Sequence, residues 1–173
     1  MGPLLPLLTR NPRAPMSPPT ESPESLLASL GYLLPNASKP VAAYIPAKRV
    51  GNLLYISGQI PMRDGQMIAT GAVPSKVTME VALDCALQCT LNGLAAAKAA
   101  AGSLSNIKQV VRVGAFVCSD VGFDQQPKVA NACSELLVKI FGEAGRHCRA
   151  AVGSVALPLG APVEIEFLFE LVG

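Results

Sequence analysis

The sequence has no tryptophan, one histidine and only eight Phe and Tyr residues (five and three) among 173 positions. Half of the residues are nonetheless hydrophobic, so a core must come from Ala, Val, Leu and Ile. Such a chain favours tight packing of small side chains and is expected to bury further surface by oligomerising. Charge is also scarce: 14 basic and 12 acidic residues leave a net +2. The basic residues are scattered singly or in pairs, as in Lys48-Arg49 and Arg146 with Arg149. A nucleic-acid backbone asks for clustered Lys and Arg, so no nucleic-acid partner is expected. No run reaches the roughly 18 apolar residues of a membrane span; the Ala-rich stretch 94–101 is broken by Lys98. No membrane association is expected. The phosphate-cradling patterns GxxxxGK[ST] and GxGxxG are missing, as is a GxSxG elbow. The five cysteines, at 85, 89, 118, 133 and 148, are odd in number and form no CxxC pair. They read as reduced thiols in a reducing, cytoplasmic setting. His147 cannot complete a tetrahedral zinc site without distant cysteines, and no structural zinc is expected.

Residues 1–23 differ from the rest. They are dense in proline, which blocks helix and strand alike. Three readings stand: a disordered tail, a transit segment (which would make the protein mitochondrial), or a stretch upstream of a true start at Met16. Residues 24–173 form one domain. A short helix is expected over 24–34, ending near Gly31. Strands are expected at 41–47 and 52–58, joined at Arg49–Gly51, with a weaker third at 66–73 after the turn Arg63-Asp64-Gly65. The segment 76–101 is the clearest helix. Leu83, Leu87, Leu91 and Leu94 make an apolar stripe, Ser75 or Thr78 caps it, and Gly102 ends it. A long strand follows at 107–118. A second helix runs from Pro127 to Phe141 and is stopped by Gly142. Two strands, 149–157 and 163–172, close the chain around the turn Pro158–Pro162. Residues Val163, Ile165, Phe167, Phe169 and Leu171 alternate to one face, and Glu164, Glu166 and Glu170 to the other. The fold class is α+β: a mixed sheet with two helices packed on one face.

Few residues carry chemistry. Cys85 and Cys89 lie one helical turn apart and are best explained as small packing residues. His147 and Cys148 are adjacent at a strand entry, so they point to opposite sides and make a poor nucleophilic dyad. Ser57, in Ile56-Ser57-Gly58-Gln59, has no base beside it. Asn131 sits inside a helix, where Asn is a poor former, and a solvent-facing role explains it. Arg149 enters an otherwise uncharged strand. It is either a surface charge or a guanidinium held for a partner, whose planar fork suits a carboxylate. Glu164 is expected to face it across the Pro158–Pro162 turn, or else to be an ordinary carboxylate on a polar strand face.

Taken in order, Ile56-Ser57-Gly58-Gln59-Ile60-Pro61, Asn131-Ala132, Arg149, Leu157-Pro158 and Glu164-Ile165-Glu166 resemble the YjgF/RidA family over about residues 41–172. The resemblance implies a chorismate-mutase-like fold and a homotrimer with clefts between subunits. It implies hydrolysis of enamine or imine intermediates of the 2-aminoacrylate type to 2-oxo acids and ammonia. Arg149 would bind the small-molecule carboxylate substrate and Glu164 would handle the attacking water; Ser57, Tyr44 and Asn131 would line the cleft. No cofactor or metal is implied. The sequence departs from the family pattern at Ala151, where many deaminases carry Cys, and at Gly145-Arg146-His147-Cys148, which replaces an aromatic-Pro-Ala. Those changes alter the cleft wall. Two other functions compete: a non-enzymatic protein that binds a small carboxylate, and an endoribonuclease or translation inhibitor.

Overall fold

A computed structural model describes residues 21–37 and 44–173. The Pro-rich segment up to Thr20, and Val41–Ala43 of the first expected strand, lie outside the described residues. Helix α1 spans Pro23–Ser29, with Pro23 in its first turn and the Ser22 hydroxyl accepting from the Ser25 N–H. Its Glu24 carboxylate accepts hydrogen bonds from the Ser103 hydroxyl and the Leu104 N–H, which ties α1 to the far end of the next helix.

Strands β1 (Ala47–Val50) and β2 (Leu53–Gln59) form an antiparallel hairpin. The first strand therefore starts later than expected. Pro46 has no N–H for the ladder, and the turn moves to Gly51-Asn52, where Gly51 takes φ +59. The expected strand 66–73 shrinks to a hairpin of β3 (Met62–Arg63) and β4 (Gln66–Met67) around Asp64-Gly65. Beyond it Gly71 turns at φ +114 and donates to the Gly160 carbonyl, so only Val73 bridges, to Ser119.

Helix α2 runs Met79–Ala101. The Thr78 hydroxyl caps it, and Gly102, at φ +84, ends it. The leucine stripe is only half right. Leu91 and Leu94 are buried, whereas Leu83 and Leu87 are partly exposed. The sheet-facing side is instead Ala82, Cys85, Ala86, Cys89, Gly93 and Ala97. The reason is space: a Cβ on Gly93 would stand 2.3 Å from the Phe167 ring, so the helix meets the sheet through its smallest residues. Cys85 and Cys89 are thus packing residues. Burial pushes the Cys85 thiol up to about 12 and Cys89 well above its usual value.

Strand β5 (Ile107–Cys118), helix α3 (Gln126–Phe141) and strand β6 (Cys148–Ser154) follow. Gly142, at φ +61, stops α3. Strand β6 ends before Leu157 because its partner runs out: Ser154 pairs with Cys118, the last residue of β5. Strand β7 (Val163–Leu171) alternates buried and half-buried along its whole length. The five-stranded sheet has the order β1-β2-β7-β5-β6, with β5 and β6 parallel and the other pairs antiparallel. Helix α2 packs against β7 and β2, and α3 against β5 and β6, so both cover one face, as expected for this α+β architecture. Among the described residues no helix packs on the other face. That face carries exposed Tyr55 and Val152 and the row Glu164, Glu166 and Glu170.

Candidate functional site

Arg149 is the second residue of edge strand β6. Register places it beside Val113, whose β7 neighbour Phe167 is buried under α2. Its side chain therefore lies on the helix-covered side. There Nη1 donates to Asn131 Oδ1 at 2.9 Å and to Ser134 Oγ at 3.0 Å. Asn131 and Ser134 are three apart on α3 and so share one face. Asn131 thus has a use beyond facing solvent: its carbonyl oxygen anchors the guanidinium. Both N–H groups of Nη1 are spent. The Nε–H and Nη2 edge, a ready bidentate fork, makes no hydrogen bond among the described residues, and the residue is exposed.

Behind Ser134 stands His147. Its Nδ1 lies 2.7 Å from the Gly145 carbonyl oxygen, and its Nε2 lies 3.0 Å from Ser134 Oγ. Burial lowers the imidazole pKa; the Gly145 contact opposes this and Arg149 adds to it. Cys148 is exposed and pairs in register with Arg112, on the sheet's open side, so the two neighbours do point apart. Ser134 was missed in the sequence. Its spacing from Asn131 was the available signal, but nothing local marks a helical serine as an arginine partner.

Glu164 is elsewhere. It pairs in register with Phe116, on the open side of the sheet. Its carboxylate lies over Gly58, where an added Cβ would come within bonding distance of Oε1. Glycine at that position is what lets the side chain lie there. Burial, helped by the neighbouring Glu166, raises the Glu164 pKa. The carboxylate makes no hydrogen bond or ion pair among the described residues, whereas Glu166 and Glu170 are paired with Arg112 and Lys108. Ser57, next to Gly58, donates to the Ile45 carbonyl at 2.8 Å; Tyr44, the residue before Ile45, is exposed.

The expectation that Glu164 faces Arg149 within the chain is therefore corrected. The two stand on opposite faces of the sheet. Along β5 they are offset by three positions, 113 to 116, which is roughly 10 Å of strand. The chain thus keeps the two charges apart: Arg149 is held by Asn131 and Ser134, and Glu164 lies over Gly58, the neighbour of Ser57. Ala151 lies two residues beyond Arg149 on the same side, half-buried beside Ala115. Among the described residues no group of three or more His, Cys, Asp or Glu is placed to hold a metal ion.

Comparison with known proteins gives this geometry its context. The family model described as "YjgF/chorismate mutase-like, putative endoribonuclease" matches residues 24–171. The match takes in α1 and so reaches further back than the motifs suggested. A Trypanosoma cruzi protein, Protein TCP17, is 39% identical over 146 residues, covering 84% of this chain and 91% of its own length. The crystal structure of Atu1372, a protein of unknown function from Agrobacterium tumefaciens, shares 42% identity with a TM-score of 0.81, over 87% of this chain and 93% of that one. A putative endoribonuclease from Shewanella oneidensis has 33% identity and a TM-score of 0.84, over 87% and 100%. With the ordered motifs from Ser57 to Glu166 inside the matched span, the chain belongs to the YjgF/RidA family.

Proposed function

We propose that this protein hydrolyses reactive enamine and imine intermediates of the 2-aminoacrylate type, giving a 2-oxo acid and ammonia. One observation carries the reading. The Arg149 guanidinium is pinned through Nη1, and its remaining fork is exposed and unspent. A carboxylate docks there bidentately, which fixes the neighbouring imine carbon in place. That carbon is already electrophilic, so no strong nucleophile is needed. An enamine substrate first tautomerises to the imine; water then adds to the imine carbon, a carboxylate takes the water's proton and passes it to the nitrogen, and the resulting amino alcohol breaks its C–N bond as the hydroxyl proton is transferred to the departing ammonia. Glu164 suits this role. Its raised pKa brings it nearer to neutrality, where a proton-transferring group works best.

Because the two residues occupy opposite faces of one sheet, they meet only if a second copy supplies one of them. The reading therefore includes a homo-oligomer, a trimer by family resemblance, with clefts between copies. The sheet face that no described helix covers, with exposed Tyr55 and Val152, supports such an assembly. The endoribonuclease wording attached to relatives suggests a second activity. A net charge of +2 without a basic cluster gives it little physical support.

The test is ammonia release from 2-aminoacrylate generated in situ. The wild-type chain should accelerate it, and Arg149→Ala should lose at least about two orders of magnitude of that acceleration. An unchanged rate in the variant would sink the assignment. Thermal stabilisation by 2-oxo acids without turnover would favour a binding protein instead. Cleavage of single-stranded RNA would favour the nuclease.

A further inference from the structure

Arg149 is held by more than Asn131, and what holds it has a direction. The Gly145 carbonyl can only accept, so the 2.7 Å contact requires His147 Nδ1 to carry the proton. In the neutral ring Nε2 is then an acceptor, and the only proton at its 3.0 Å contact is that of the Ser134 hydroxyl. With its proton committed to the imidazole, Ser134 Oγ turns a lone pair towards Arg149 Nη1, 3.0 Å away. The hydrogen bonds thus run one way, from Arg149 to Ser134 to His147 to Gly145. The far end is anchored by packing. Gly145 lies against the α3 backbone, where a Cβ would stand 2.2 Å from the Leu137 carbonyl oxygen. The turn carrying the carbonyl is thereby fixed against the same helix that carries Ser134. Burial of the half-buried ring and the nearby guanidinium both favour its neutral form, as the direction of the chain requires.

We propose that Ser134 and His147 are positioning residues for Arg149: they spend the second N–H of Nη1 and orient the Nε/Nη2 fork towards a substrate carboxylate. Asn131 alone would hold Nη1 through one bond, about which the guanidinium could swing. Two acceptors on one helix face fix its plane. The proposal rests on the carboxylate-binding reading of Arg149. It goes beyond that reading in giving work to His147 and Ser134, which the sequence motifs leave unassigned.

His147 is the sole histidine of the chain, so its ring nitrogens can be observed by 15N NMR in the full-length protein without assignment by mutation. The neutral Nδ1–H tautomer is expected near pH 7, with the Nε2 resonance shifting in Ser134→Ala. A neutral Nε2–H tautomer overturns the relay, whatever the protein catalyses. The second arm is pyruvate binding by calorimetry. Ser134→Ala should weaken it roughly tenfold, as expected for a lost bond to a charged group, and His147→Ala, which leaves the Ser134 acceptor in place but unoriented, by a smaller factor of about three. Ser134→Thr should restore it, and Ser134→Ala should add nothing once Arg149 is Ala. Pyruvate affinities at the wild-type level in both single variants, alongside a clear loss in Arg149→Ala, overturn the positioning role. If the wild-type chain binds no pyruvate, the carboxylate reading of Arg149 fails, and the positioning role falls with it.

Discussion

At the scale of the residue, the two charges of the candidate site are maintained in opposite ways. Arg149 is exposed and well anchored; Glu164 is partly desolvated and has no partner among the described residues. A carboxyl whose folded pKa is raised binds more protons folded than unfolded in the window just above its ordinary value of 4.5. Its ionisation therefore costs stability as pH rises through the folded value, and that cost persists at neutral pH. Glu164→Gln removes it. The variant should melt higher than wild type at pH 8, and the gap should close towards pH 4. It should also lose the proposed activity. Melting curves across that pH range check the first part. A gap that is absent, or that grows as pH falls, would mean the carboxylate is better accommodated than its surroundings imply.

At the scale of the element, most of the architecture was legible. Helices α2 and α3 stop at Gly102 and Gly142, β5 keeps its expected limits, and β7 keeps its period of two. Those signals are local, arising from backbone conformation at glycine and alternation on a pleat. The errors lie where a neighbour decides. The Leu83–Leu94 stripe named the helix correctly but misplaced part of its buried face, because the limit on that face comes from Phe167, far away in the sequence. Gly93→Ala makes this testable. Alanine favours a helix interior by about 1 kcal/mol over glycine. Overpacking a core typically costs about 1–3 kcal/mol. With Cβ at 2.3 Å from a ring held inside the sheet, the steric cost should win and lower the melting temperature by about 2–4 °C. A gain in melting temperature would show that Phe167 can move aside and that the close approach is not limiting.

At the scale of the whole molecule, the separation of Arg149 from Glu164 makes the assembly part of the chemistry. Arg149→Ala and Glu164→Gln subunits should each be inactive alone. Unfolded together in equal amounts and refolded, they should regain roughly a quarter of wild-type activity, because a cleft drawing one residue from each of two copies is intact in one case of four. No recovery, in a mixture shown by mass to contain both subunits, would place both residues in the same chain's site. The sequence by itself determined the α+β class, the helix stops, the buried face of β7, the exclusion of nucleotide-loop and nucleophile-elbow motifs, and the ordered motifs that mark the family. All of these depend on spacing along the chain. Only the tertiary structure decided on which side of the sheet each charge stands, that Asn131 and Ser134 hold Arg149, and that His147 stands behind them. Those facts depend on register between strands distant in sequence and on helix packing; a one-residue slip of a strand would have moved its every side chain to the other face, and a one-residue shift of α3 would have turned Asn131 and Ser134 about 100° away from Arg149.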